Sequence, residues 1–175
     1  MFYSCSEVVE NIPFTREIAK KYIVEAGIFN LAKIDLLIDC IVIGEPNFNT
    51  ELFLTTDEKR NLGLNTRLKI EKELIDFFEI DKIKGLNPKD EIHKIYFRLF
   101  HYFSILRNVK KFKQMGAKKA LFLCCDDERT CSFCKNNNNK KIDISDDLAE
   151  YIDKNCSCYK NKRIGGNIAF EYEYE

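Results

Sequence analysis

Two pairs of cysteines constrain this chain more than anything else in it. Cys131-Ser132-Phe133-Cys134 is followed, after 21 intervening residues, by Cys156-Ser157-Cys158. In Cys-x-x-Cys the backbone turns tightly between the thiols, so both sulfurs can reach one ion at about 2.3 Å. A second pair arriving from a distant segment completes a tetrahedron and pins two stretches of chain together. Four thiolates leave no open coordination position, so such a site is structural, and zinc is the expected ion. Cys-x-Cys is a less usual second knuckle than Cys-x-x-Cys, which makes Asp153 an alternative ligand. Two other readings stand beside this one. The cysteines can be unligated small residues in a loop-rich segment, or Cys131 and Cys134 can be a reactive dithiol. A reactive pair usually sits at a helix N-terminus, which lowers the thiol pKa. Here the Asn-rich stretch 136–139 predicts a turn instead.

The chain has 175 residues, enough for one domain or one and a fraction, with a core that needs no staples. Lys and Arg number 28 and Asp and Glu also 28. That balance argues against a dedicated polyanion binder. Residues 1–14 have no basic start and no apolar run, so no signal peptide is expected. The most apolar stretch, 31–43, is interrupted by Asp35 and Asp39 and is not expected to span a membrane. The expectation is a cytoplasmic protein whose eight cysteines are reduced or metal-bound.

Periodicity predicts helices over 15–26, with Thr15 as N-cap and Gly27 as stop, over 31–43, buried on most of its surface, and over 64–80. A loop is expected over 46–56, with a short strand at 52–54. Asn87-Pro88 opens the longest helix, running to Met115 with Gly116 as its stop. Its apolar face is Ile92, Ile95, Tyr96, Leu99, Phe103, Leu106 and Val109. Residues 120–125 read as a buried strand, 142–144 as a short one, and 146–155 as a short helix. From Phe170 to Tyr174 aromatics alternate with acids, so 168–174 reads as a half-buried strand pairing with 120–125. The predicted fold class is α+β. A helical N-terminal region, 1–86, precedes a long helix and a small zinc-ribbon-like antiparallel sheet with a cysteine knuckle, 87–175.

Other residues carry weaker signals. Cys124 and Cys125 sit in the predicted strand, pointing to opposite faces, and are expected to lie outside the ligand set. Cys5 and Cys40 read as buried thiols. Asp126-Asp127-Glu128 follows the strand, where clustered carboxylates can hold a catalytic divalent ion in nucleases. The alternative there is a solvated turn, with Asp127 or Glu128 pairing with Arg129. His93 and His101, eight residues apart, lack the spacing of a two-histidine metal site and read as polar-face or core residues. Lys140, Lys141, Lys160, Lys162 and Arg163 are candidate nucleic-acid contacts on a basic rim.

The run from Met115 through Leu123 into Asp127-Glu128-Arg129-Thr130-Cys131-Ser132-Phe133-Cys134 resembles the C-terminal module of phage Mu F-like minor head, or head morphogenesis, proteins. Cys156-Ser157-Cys158 matches that family's terminal Cys-x-Cys. Asn138-Asn139-Lys140 stands where the family has an Asp-Gly-Lys turn, with Asn taking the glycine's positive φ. Asp153 occupies the family's histidine position. The resemblance spans roughly 92–158 and implies a structural role in capsid assembly, in a virion or in a recruited bacterial protein. The combined expectation is a non-enzymatic structural or interaction module. Cys131, Cys134, Cys156 and Cys158 are the ligands, and Arg129, Thr130 and Asp153 brace them. The expected partner is a protein or a second copy. A nucleic-acid-binding zinc module and a metal-dependent nuclease are the alternatives. No membrane and no small-molecule substrate are expected.

Overall fold

The computed structural model describes residues 12–43 and 52–170. Cys5 and most of the terminal aromatic and acidic alternation lie outside the described residues. The chain divides into two compact units, Met1–Tyr96 and Phe97–Glu175, with the boundary inside the longest helix. The architecture is α+β, with helices and one small antiparallel sheet.

In the first unit, α1 (Ile12–Ala26) begins earlier than predicted. Pro13 lies in its first turn, where a missing N–H costs nothing. Thr15 is therefore a fully buried helical residue rather than the cap. Gly27, at φ +66°, ends the helix as expected. A short 3-10 turn (Leu31–Lys33) precedes α2 (Ile34–Ile43). Burial of most of the α2 surface is not what the structure shows. Ile34, Leu37, Ile38 and Ile41 are buried, while Leu36 is 54 % exposed. One face is sufficient because the helix packs from one side only. α3 (Thr56–Asn61) starts with a capping box in which Thr55 and Glu58 satisfy each other's backbone N–H.

The helix predicted over 64–80 does not form. Only α4 (Lys72–Ile75) and a 3-10 turn (Ile80–Lys82) are helical there. Competing partners take the backbone groups that a helix would use. The Asn65 side chain accepts from Arg67 N, and the Lys59 ammonium donates to the carbonyls of Thr66 (2.7 Å) and Leu68 (3.0 Å). Leu54 N bonds Ile70 O and Lys72 N bonds Leu52 O, around a bridge between Phe53 and Glu71. The short strand expected at 52–54 is thus reduced to a single bridge.

α5 (Pro88–Gln114) matches its predicted span closely, and Gly116 at φ +78° turns the chain out of it. In the second unit its inward stripe includes His101, Ile105, Val109 and Phe112, with Leu106 only half-buried. That stripe packs against a sheet of β1 (Lys119–Leu123), β2 (Lys140–Asp143) and β3 (Asn167–Ala169), in the order β2-β1-β3. Both pairings are antiparallel. Ala120 faces Ile142 on one side, and Phe122 faces Ile168 on the other. The pairing of β3 with β1 is as expected, although β1 stops at Leu123, before Cys124 and Cys125. It stops there because the Asn138 side chain takes Cys124 N (2.9 Å) and the chain turns away. A short helix, α6 (Ser132–Asn137), stands where a turn was predicted, and α7 (Leu148–Asn155) follows β2. Leu148, Ala149 and Ile152 of α7 are buried in the core with Phe122 and Ile105.

Candidate metal centre

The four cysteines of the two pairs meet inside the second unit. Cys131 is the N-cap of α6, in extended backbone, and Cys134 lies one turn inside that helix. Cys156 is the extended residue that ends α7, and Cys158 opens a 3-10 turn (Cys158–Asn161). Each pair therefore straddles the end of a helical segment, which brings both of its sulfurs to one side. Sγ–Sγ separations are 3.5 Å for Cys134–Cys156, 3.7 Å for Cys134–Cys158 and 4.0 Å for Cys131–Cys156. All four sulfurs lie within 4.8 Å of one another. A tetrahedron with metal–sulfur bonds of about 2.3 Å has edges near ~3.8 Å, so the spacing and the donor set both fit a single tetrahedral ion. Among the described residues this is the one group of three or more His, Cys, Asp or Glu side chains so placed.

The surroundings favour sulfur anions. Gly166 N donates to Cys134 Sγ and Cys131 N to Cys158 Sγ, each at 3.3 Å. Crowding of thiols sets their protonation. Hydrogen bonding with Cys134 and then with Cys156 holds Cys158 far below the ordinary thiol range. Cys134 is pushed far up by its hydrogen bonds with Cys156 and Cys158 and by burial. For Cys156, donation from Cys134 acts downward, but donation to Cys158 and burial outweigh it and raise the pKa. A divalent ion would deprotonate all four.

Two glycines let this packing close. A Cβ on Gly165 would stand 2.5 Å from Cys156 Sγ and 2.5 Å from His101 Cε1, and one on Gly166 would meet the Phe122 ring at 2.4 Å. His101 Nε2 lies 2.6 Å from Gly166 O, so α5 holds the same peptide segment that donates to Cys134. Burial lowers the His101 pKa, which keeps the ring neutral and able to donate to that carbonyl. His101 is a core histidine, one of the two placements left open in sequence, and its position beside the cysteines has no local signal. It lies 65 residues from Gly166 in sequence.

The other candidate residues occupy other roles. Both Asp153 oxygens are taken by Arg98 (Nε–Oδ1 2.8 Å and Nη2–Oδ2 2.9 Å), not turned to the sulfurs. Thr130 is buried, and its hydroxyl donates to Cys125 O at 2.6 Å, bracing the loop that enters Cys131. Arg129 is exposed. Its carbonyl accepts from the Asn161 side chain at 3.0 Å, which ties the two cysteine-bearing loops together.

The three carboxylates do not converge on one point. Asp127 caps its own turn through Arg129 N and pairs with Arg163, Asp126 faces Lys135 at 3.9 Å, and Glu128 is exposed. The solvated-turn reading, with Asp127 near Arg129, describes this segment. Lys140 and Lys141 are exposed on β2, and Lys160 and Lys162 are exposed around the 3-10 turn. Arg163 is engaged by Asp127 and half-buried. Cys124 is half-buried, with Sγ donating to Cys134 O at 3.3 Å; Cys125 is exposed, and Cys40 is half-buried. No helix among the described residues is long and apolar enough to cross a membrane. No family model, curated protein or solved structure matches this chain.

Proposed function

We propose that the second unit is a non-enzymatic structural or interaction module built around one structural zinc ion held by Cys131, Cys134, Cys156 and Cys158. The observation that carries this reading is the convergence of four sulfurs, three of them buried, at tetrahedral spacing. All-thiolate ligation leaves no position for a substrate or a reactive water, which favours a staple over a catalyst. The staple would join the start of α6 to the end of α7, adding to the apolar packing of Phe133 on Tyr151 between the same two helices. The motif resemblance to phage head morphogenesis proteins supports a role in protein assembly for the module.

The test is metal content by elemental mass spectrometry, together with thiol titration under denaturant with and without chelator. One zinc per chain is expected, with four thiols protected until the chelator is added. Cys131→Ser should lower zinc content and melting temperature together. A metal-free protein with every thiol equally reactive would sink the assignment.

A further inference from the structure

The four sulfurs are not equivalent. Cys134, Cys156 and Cys158 are buried, whereas Cys131 is half-buried. Cys134 accepts the Gly166 N–H, and Cys158 accepts the Cys131 N–H. Hydrogen bonds from N–H groups withdraw charge from a ligating sulfur and tune its reactivity. Oxidation follows thiolate character and exposure, and it is reversible where a resolving cysteine stands close by. Cys131 combines the greatest exposure of the four with a neighbour, Cys156, at 4.0 Å. It also caps α6, where its backbone is extended and its carbonyl accepts the Lys135 N–H at 3.0 Å. Cys158 lines a cleft of about 660 Å³ together with Cys124 and Cys125, but its side chain is nearly fully buried at 1 % exposure.

We propose that the site is a peroxide-sensitive metal latch, with Cys131 as the ligand attacked first and Cys156 as the resolving thiol. This rests on the structural-metal reading above. The Cys131 thiolate attacks one peroxide oxygen: an S–O bond forms, the O–O bond breaks, and hydroxide leaves and is protonated to water. The Cys156 thiolate then attacks the Cys131 sulfur. An S–S bond forms, the S–O bond breaks, and a second water departs. Two thiolates, one hydrogen peroxide and two protons give one disulfide and two waters, and two electrons pass from sulfur to oxygen. Stripped of two of its four ligands, the ion is released. A small dithiol reverses the step by thiol–disulfide exchange.

The experiment starts from zinc-loaded protein, with hydrogen peroxide as the oxidant. Zinc release is followed with a chromogenic chelator, and the oxidised cysteines are mapped by mass spectrometry. Stoichiometric release with a Cys131–Cys156 disulfide is expected. Cys131→His keeps a Cys3His ligand set and should slow release at least tenfold, whereas Cys125→Ser, at an exposed cysteine outside the ligand set, should release at close to the parent rate. If Cys131→His fails to hold zinc, sulfenic-acid trapping on the parent protein decides: a label on Cys131 supports the proposal, and a label on another ligand overturns it. Equal release rates for the two variants, or retention of zinc through peroxide treatment, would overturn the latch while leaving the structural site intact. A protein that never carried metal would remove both readings.

Discussion

Arg98 of α5 and Asp153 of α7 form a forked ion pair, with two N–H···O bonds of 2.8 and 2.9 Å between side chains only 12 % and 5 % exposed. The same guanidinium lies 5.1 Å from the centre of the Tyr159 ring, the residue after Cys158. One arginine therefore fixes both the helix that ends in Cys156 and the turn that begins with Cys158. The planar fork suits this geometry, and a lysine would not reproduce it.

Removing one partner of this pair strands the other in a poorly solvated place. Asp153→Leu should cost about 3–5 kcal/mol, and Arg98→Met should also destabilise. The double variant Arg98→Met with Asp153→Leu should cost less than the sum of its parts. Urea midpoints of the four proteins would measure the coupling. Additive losses would show that the pair contributes no mutual stabilisation.

The glycine pair after the 3-10 turn makes a second prediction. Gly166→Ala drives a methyl into the Phe122 ring and should cost about 1–3 kcal/mol. Gly165→Ala presses on Cys156 and His101 instead, so it should shorten the half-time of metal loss to a competing chelator as well as lower stability. A Gly165→Ala protein that keeps its metal as long as the parent would show that the cysteine packing tolerates the extra methyl.

In the first unit the acid sensitivity of one cap can be stated with its sign. The Lys72 ammonium, and then the Thr55 backbone N–H, hold the Glu58 carboxyl down at about 2, against 4.5 for an unperturbed glutamate. The folded pKa lies below the unfolded one. The contribution is therefore fully present above about 4.5 and is lost as the pH falls toward 2. A carbon-detected NMR titration should place the Glu58 midpoint near that lower value, and Lys72→Met should move it upward. A midpoint at the ordinary glutamate position would show that the ion pair does not persist in solution.

The parts of this fold that were legible in sequence are those fixed by neighbours in the chain. Asn87-Pro88 and Gly116 bracket α5 because caps and stops act within one turn. Asn139 adopts φ +59°, the left-handed conformation that the motif resemblance implies where Asn stands for a turn glycine. The two cysteine pairs could be read as one cluster because their spacing is itself the signal. The segment 64–80 misled because its apolar period is helical, while Lys59, Asn65 and the backbone around Phe53 claim its hydrogen-bonding groups. The turn predicted after Cys134 failed for a different reason. Cys131 caps α6, and its carbonyl accepts from Lys135 N at 3.0 Å, so the first asparagines continue the helix. Nothing near His101 or Gly165-Gly166 in the chain announces that they face the cysteines. Those contacts are made by tertiary packing, across 65 residues for His101 and Gly166 and 32 for Gly166 and Cys134.

The Gly166 amide that meets Cys134, and the carbonyl that His101 grips, lie beyond the last cysteine in the chain. During synthesis all four thiols therefore leave the ribosome before the peptide that closes over them. A nascent chain ending near residue 160 would hold all four cysteines but lack β3 and the Gly166 N–H, so an ion bound there would be more open to a passing thiol or chelator. The final few residues of the sheet set the moment at which the centre becomes sealed.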